Sequence, residues 1–357
     1  MKKPLFIILL IFFINTVYSQ AVYTENFDNH SVGNLGTDVT GKIPGQWGWF
    51  TYSRITQANS FFTIVNETGR GKVLDITTGL TSAENLSAFK TNLNTLIANR
   101  TAGNNVLMFE FDYYTGSIQN SNSNTNGVSI ELVGVGNPLA TPNVTESLAW
   151  FRFMKNTGYI EGSLGNSGGL FYDNQADYYY LPFNTWVKII VYLDYPNKKG
   201  YFYIPYLNKV FAGDFLANKT STNLIQDYVP ATLMLSVSLD SGINSPLLYT
   251  RNRYDNIKIT ALNVVPPNVI ALNTNEQLAA KFNMYPNPAT NVVNITNSEN
   301  MLVNQVTVYD IAGKQISTQS FNSEAEIQLN VENLANGTYM LHLQTHGGTA
   351  VKKLVKK

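Results

Sequence analysis

Residues 106–114 read Val-Leu-Met-Phe-Glu-Phe-Asp-Tyr-Tyr, and this stretch decides the fold class. Its odd-numbered positions are all large and apolar, whereas its even-numbered positions include Glu110 and Asp112. Because successive side chains of a strand point to opposite faces, one face is dry and the other is wet. The stretch therefore predicts an antiparallel strand that covers a hydrophobic core on one side only.

Similar short runs follow one another along most of the chain. They are rich in Val, Ile, Phe, Tyr and Trp and are bounded by Gly, Asn, Asp, Ser or Pro. They occupy residues 22–27, 61–65, 72–77, 128–135, 148–154, 186–194, 201–206, 233–239 and 257–262. A helix is predicted only as a short element, at 82–88 or at 93–98. The pattern predicts an antiparallel jelly roll or β-sandwich over residues 20–262.

The composition excludes several classes of function. Charged residues make up 13% of the 357 residues, about half of the ~25% of an ordinary soluble domain. The chain has 24 basic residues (Lys and Arg) and 24 acidic residues (Asp and Glu), so its formal net charge is zero. This balance argues against a basic face that binds nucleic acid. The absence of cysteine excludes a disulfide framework, a thiolate zinc site and a thiol nucleophile.

The first 19 residues have the order of a secretory signal peptide. Lys2 and Lys3 precede an apolar run at 5–14, and small or polar residues lead to a predicted cleavage after Ser19. The apolar run is shorter than the ~20 residues that span a bilayer. No later stretch is apolar enough to span one, so we predict no transmembrane segment in the mature chain.

A second block of strands follows a break in the pattern. Residues 263–281 carry a Pro-Pro pair and are predicted to be a linker, and residues 282–357 alternate again. The second block contains four ordered motifs: Tyr285-Pro286-Asn287-Pro288; a strand ending at Asp310 with a turn at Gly313; Asn336-Gly337 leading into Tyr339; and a basic end that includes Lys352 and Lys353. The motifs predict a first segment whose backbone is fixed by proline, tight turns at the glycines, and strands that follow these turns.

These motifs closely resemble the type A C-terminal sorting domain of the Bacteroidetes type IX secretion system. The resemblance covers the whole of 282–357 and implies a small immunoglobulin-like β-sandwich. It further implies recognition by the type IX translocon and a surface sortase. The expected location is the outer-membrane cell surface or the medium, and the expected fold class is all-β, with a large and then a small sandwich.

The large domain resembles the concanavalin A-like lectin and glucanase jelly rolls, including laminin-G-like modules. The resemblance rests on strand patterns at 25–28, 109–112, 186–194 and 254–259. Glucanases of this fold carry Glu-x-Asp-x-x-Glu on one strand, and here the third position is Thr115. Because threonine cannot act as a general acid at neutral pH, we predict non-catalytic binding of a carbohydrate or another extracellular ligand. Two alternatives stay open: a glycosidase or lyase with an unrecognised site, and a protein-binding adhesin.

Two aromatic clusters are candidates for the binding site. Sugar sites combine an aromatic face with Asn or Asp side chains, and they need no net charge. In the first cluster Trp47 and Trp49 would share a strand face, although both could pack in the core. The second cluster is a loop leading into three consecutive tyrosines, and its candidate residues are Tyr172, Asp173, Asn174 and Asp177.

A structural calcium ion is a further hypothesis. In calcium-bearing jelly rolls a cation often joins the first strand to the last, which here places Asp28 near Asp255. The alternative is that both aspartates satisfy backbone N–H groups in turns.

Overall fold

The computed structural model describes residues 18–54, 58–80, 84–118, 127–135, 145–165, 179–214, 228–239, 248–297, 301–311, 314–345 and 348–357. The chain divides into two compact units, Met1–Val265 and Pro266–Lys357. Most of the predicted signal peptide lies outside the described residues. Neither helix of the described part is long and apolar enough to cross a membrane.

The first unit is built almost entirely of antiparallel strands. Its strands are β1 (Ser19–Glu25), β2 (Gly33–Asn34), β3 (Trp49–Ser53), β4 (Phe62–Glu67), β5 (Gly71–Leu80), β6 (Glu84–Lys90), β7 (Val106–Tyr114), β8 (Gly127–Val135), β9 (Thr145–Met154), β10 (Ile160–Leu164), β11 (Trp186–Asp194), β12 (Lys199–Ile204), β13 (Lys209–Asp214), β14 (Val229–Leu239) and β15 (Leu248–Leu262). A short helix, α1 (Leu93–Ala98), matches one of the two predicted positions, whereas β6 occupies the other.

Within the described residues these strands form two sheets. The larger has the order β13-β12-β11-β7-β15-β5-β4-β2, and β1 pairs with the second half of β15. The smaller has the order β10-β9-β8-β14-β6-β3. The fold-class prediction is confirmed: this unit is an antiparallel β-sandwich.

The core lies between the two sheets, as the alternation in β7 predicted. Phe109, Phe111 and Tyr113 are buried, and the Tyr113 ring lies 5.8 Å from that of Phe153 on β9. Burying one such side chain contributes roughly 1.5–3 kcal/mol. The opposite face of β7 is therefore left to carry the polar groups, among them Glu110.

The second unit contains one helix and two smaller sheets. Its elements are α2 (Pro267–Ala280), β16 (Phe282–Tyr285), β17 (Val292–Asn297), β18 (Val303–Asp310), β19 (Gln315–Glu324), β20 (Ile327–Asn330), β21 (Gly337–Thr345) and β22 (Gly348–Lys356). The sheets have the orders β16-β17-β20 and β19-β18-β21-β22, and they enclose their own apolar core. A small β-sandwich thus follows the large one, as predicted.

Helix α2 lies within the segment that the sequence predicts to be a linker. Its proline stands in the first helical turn, where a missing N–H costs nothing. Leu278 is buried in the core of the second unit, and Lys352 of β22 donates to the carbonyl of Ala279. The Pro-Pro pair therefore marks the start of a helix that packs on the strands of the second unit.

One lysine is buried at the edge of the large core. Lys155, which follows β9, is 1% exposed, and its Nζ donates to the carbonyl oxygens of Thr115 and Arg251. Burial lowers the pKa of Lys155 to about 7, against a smaller opposing effect of Asp75. The amine is therefore largely neutral in the folded protein above that pH.

Lys155 gives a stability prediction. Between pH 7 and 9 the unfolded chain keeps the Lys155 proton and the folded chain loses it, so the free energy of unfolding increases with pH. The contribution approaches about 1.4 kcal/mol per pH unit. Urea unfolding at pH 7 and pH 9 measures it, and Lys155→Met should remove this increase. An equal increase in the variant would contradict the assignment.

Candidate functional site

An open groove of 590 Å³ lies in the first unit, where the outer face of the larger sheet meets the loops that follow β1. Strands β7, β11 and β15 supply its floor, and the chain after β1 and around residue 47 supplies its wall. The polar and aromatic side chains that line it include Asn26, Asn29, Trp47, Glu110, Lys188 and Lys258. Its volume is within the ~300–1,000 Å³ of small-ligand sites.

Trp47 stands on the wall of the groove with 62% of its surface exposed. Residues 46–48 form a single 3₁₀ turn, in which Trp47 has a left-handed backbone with φ of +51°. Bulky residues rarely adopt this conformation, and it costs of order 1–3 kcal/mol. The indole Nε1 donates to the carbonyl of Asn29 at 3.2 Å, and Lys90 Nζ donates to the carbonyl of Trp47. The turn therefore holds the indole out of the core.

The prediction that Trp47 and Trp49 share a strand face is wrong. Strand β3 begins only at Trp49, after the 3₁₀ turn, so the two-residue alternation does not reach Trp47. Trp49 is fully buried, packs 5.7 Å from the Phe27 ring and donates from Nε1 to Glu25. The structure thus separates the pair into one core residue and one surface residue.

His30 supports Trp47 from beneath. The imidazole is buried, and its ring centroid lies 6.1 Å from that of Trp47. Burial lowers the pKa of His30; Lys90 and Lys72 act in the same direction, while Glu25 opposes them. The ring is therefore neutral at neutral pH and serves as a packed support for the indole.

A guanidinium group holds two buried carboxylates next to the groove floor. Arg70 Nη1 lies 2.9 Å from Asp112 Oδ2 and 3.0 Å from Asp255 Oδ2. The Arg70 guanidinium carbon lies 3.9 Å from the centre of the Trp186 ring, a cation–π geometry. This cluster connects the turn between β4 and β5 to β7, β11 and β15.

The same cluster positions two of the groove-lining side chains. Lys188 Nζ lies 2.9 Å from Asp112 Oδ1, and Asn256 Nδ2 donates to both Asp112 and Asp255. Asn256 has a left-handed backbone with φ of +50°, at an irregularity in the pairing of β15 with β7. Such irregularities re-aim side chains, and here the asparagine is placed against the groove.

The two carboxylates of the cluster titrate differently. Burial alone raises the pKa of Asp112, but hydrogen bonds from Asn256, Lys188 and Arg70 outweigh it, and the net pKa lies below the ordinary value. Burial raises the pKa of Asp255 above its ordinary value, although Arg70 opposes this effect. Asp112 therefore stays charged over a wider pH range than its neighbour.

The carboxylates of the calcium hypothesis are already engaged by other groups of the chain. All four carboxylate oxygens already accept hydrogen bonds: those of Asp28 from Lys72 N and Asn26 Nδ2, and those of Asp255 from Arg70 and Asn256. The described part of the chain contains no group of three or more His, Asp or Glu residues that could hold a metal ion. Arg70 already provides a positive charge at Asp255.

The carboxylate pair on β7 has no third carboxylate partner at position 115. Thr115 is fully buried, and its hydroxyl accepts from Thr185 N at 3.0 Å and donates to Thr185 O at 3.1 Å. Its role is to connect two chain segments. The second candidate cluster, with Tyr172, Asp173, Asn174 and Asp177, lies outside the described residues.

The sorting-motif residues have structural contacts in the second unit. Asn287, between two cis prolyl bonds, donates to Lys353 O and accepts from Val355 N. Asp310 accepts from Lys314 N, and the Tyr339 hydroxyl donates to Ala335 O. Gly313 lies outside the described residues. The motifs therefore fix turns and strand ends of the small sandwich.

Residues 283–357 match the family of secretion system C-terminal sorting domains. The match confirms the predicted sorting function of the C-terminal block. It indicates secretion, with the protein either retained at the cell surface or released, and an interaction with the type IX secretion machinery. No protein with curated function matches the chain in sequence.

Solved structures resemble the chain only distantly. An alginate lyase from Aplysia kurodai has 10% identity and a TM-score of 0.40, with 67% of this chain and 98% of that chain covered. Basic winged bean lectin has 9% identity and a TM-score of 0.34, with 69% and 98% covered. A sialidase has 10% identity and a TM-score of 0.36, with 64% and 18% covered. The chain spans only 18–29% of the length of these sialidases.

The two tryptophans give a matched test of the geometry. Trp49→Ala should lower the free energy of unfolding by about 3–5 kcal/mol, because it empties a core position. Trp47→Ala should change it by no more than about 1.5 kcal/mol, because the side chain is exposed and only its hydrogen bond to Asn29 is lost. Urea unfolding of both variants measures the difference, and equal losses would contradict the separation described above.

Proposed function

We propose that this protein is a secreted, non-catalytic carbohydrate-binding protein whose binding site is the Trp47 groove. The large unit would belong with the concanavalin A-like sandwiches, and the type A sorting domain would deliver it to the surface. The observation that carries the proposal is Trp47, a large aromatic side chain held in solvent on the wall of a 590 Å³ groove.

The chemistry of the groove suits a sugar. The apolar C–H face of a pyranose stacks on an indole, and its hydroxyl groups need nearby donors and acceptors. Asn26 and Asn29 lie beside Trp47, and Asn256 lies on the floor. An asparagine amide can both donate to and accept from hydroxyl groups. In Asn256 the N–H groups already bond to Asp112 and Asp255, so its amide oxygen is the part that can accept from a sugar.

The backbone of the wall supports a functional role for Trp47. An indole is usually more stable in a hydrophobic core than in solvent. The left-handed backbone of a bulky residue such as Trp47 also lowers the stability of the fold. Hydrogen bonds to Asn29 and from Lys90 hold the turn in place nonetheless. A ligand that stacks on the indole would account for keeping it exposed.

Binding is favoured over catalysis by the state of the carboxylates. Asp112 is bound by Arg70, Lys188 and Asn256, and Asp255 is buried. Thr115, at the position of the acid/base in glucanases, is tied to Thr185. The remaining groove carboxylates are Glu110 and Glu25, and Glu25 is engaged by Phe27 N and Trp49 Nε1, so Glu110 lacks the free second carboxylate that glycoside hydrolysis requires.

Retention of the mature chain on immobilised polysaccharides tests the proposal. Wild type should be retained on one glycan class, and Trp47→Ala should weaken binding by about tenfold or more, because the stacking surface is lost. Tyr206→Ala is the matched control, since this tyrosine is also exposed but does not line the groove.

Two of the following three outcomes would contradict the proposal, and the loss in chelator would add a metal ion to it. Release of soluble oligosaccharides during incubation would favour the enzyme alternative. Loss of retention in chelator alone would revive the calcium hypothesis at Asp28 and Asp255. Retention on no glycan, by a protein shown to be folded, would favour a protein-binding adhesin.

The sorting proposal has a separate test in a host with a type IX secretion system. A chain that ends at residue 265 keeps the first unit whole and lacks the second, so we expect it to accumulate in the periplasm. The full chain should reach the surface or the medium, and fractionation with immunoblotting distinguishes the two. Export of the shortened chain would show that the second unit is not the signal.

A further inference from the structure

The side chains that line the groove differ in whether their charges are already compensated. Lys188 lies 2.9 Å from Asp112, so its positive charge is neutralised from below the floor. Glu25 accepts hydrogen bonds from Phe27 N at 2.8 Å and from Trp49 Nε1 at 3.2 Å. Both Lys188 and Glu25 therefore have structural roles at the edge of the groove.

Glu110 and Lys258 are the charged side chains that stay available to a ligand. They are direct cross-strand neighbours on β7 and β15. Within the described residues neither of them forms an ion pair, and both line the groove. A bound molecule can therefore reach one carboxylate and one ammonium group side by side.

The charge balance of the lining disfavours a polyanion. Lys188 is neutralised by Asp112, Lys90 lies near Glu25, and Lys258 lies directly beside Glu110, so no positive charge of the lining is left uncompensated. A uronate or sulfate ester would bring a negative charge close to two carboxylates. A neutral sugar meets no such repulsion, and its hydroxyl groups can donate to one charged group and accept from the other.

We infer that the groove binds a neutral glycan, in which a sugar ring stacks on Trp47 and hydroxyl groups of the same or the next ring bind Glu110 and Lys258. The inference rests on the proposed function and adds the class of glycan. It also makes Glu110 a specificity-determining residue, because its carboxylate accepts from hydroxyl groups and repels an acidic sugar.

Two sets of soluble polymers test the inference with the mature chain. Mannan, galactan and β-glucan are the neutral probes, and polygalacturonate and alginate are the acidic probes. We expect retention on at least one neutral polymer and on neither acidic one, with the same affinity at low and high salt, because neutral ligands are not screened.

Two single-residue variants test whether Glu110 contributes to glycan binding. Glu110→Gln should weaken binding of the neutral polymer by about tenfold or more, because an amide replaces two acceptor oxygens by one. Glu161→Gln is the matched control, since Glu161 lies on β10 of the other sheet and pairs with Arg152. Thermal unfolding of each variant shows that the fold is retained.

The outcomes separate this inference from the function on which it rests. Retention on an acidic polymer that is lost in Trp47→Ala and weakened by salt would overturn the neutral class and leave the carbohydrate function standing. Equal binding by Glu110→Gln and wild type would overturn the role of Glu110. Retention on no polymer would overturn both the class and the proposed function.

Discussion

Two aspartates on adjacent strands, Asp112 and Asp255, lie against one guanidinium group, and this contact organises the polar face of the larger sheet. Burying two carboxylates side by side is costly unless a positive charge lies between them. Arg70 supplies that charge from a turn distant in sequence, and Trp186 covers it. Because Lys188 and Asn256 bond to the same carboxylates, the floor of the groove depends on this contact.

The wall of the groove, in contrast to its floor, depends on backbone conformation. Turn 46–48 holds Trp47 outward, while the neighbouring Trp49 fills the core. The two halves of the candidate site thus arise from different physical causes: electrostatic compensation on the sheet, and a left-handed residue on the loop. The groove combines the aromatic side chain of one half with the polar side chains of the other.

Local alternation predicted the fold well because burial on one face leaves a period of two in the sequence. The pattern of 106–114 gave both the dry face and the outward placement of Glu110. Sequence could not predict which strands would be neighbours, so Lys258 and Lys188 were missed although both lie near Glu110. It also placed Trp47 and Trp49 together, because a single 3₁₀ turn breaks the alternation without a signal beyond Gly45 and Gly48.

The boundary between the two units bears on what a processing protease would leave behind. Helix α2 starts at Pro267, and its Leu278 is covered by the second unit. A cut before this helix leaves Leu278 with the second unit, in the core to which it belongs. A cut after the helix would leave it attached with Leu278 uncovered, and exposed apolar surface promotes association of released molecules. The point of cleavage would thus decide how well the freed protein stays dispersed.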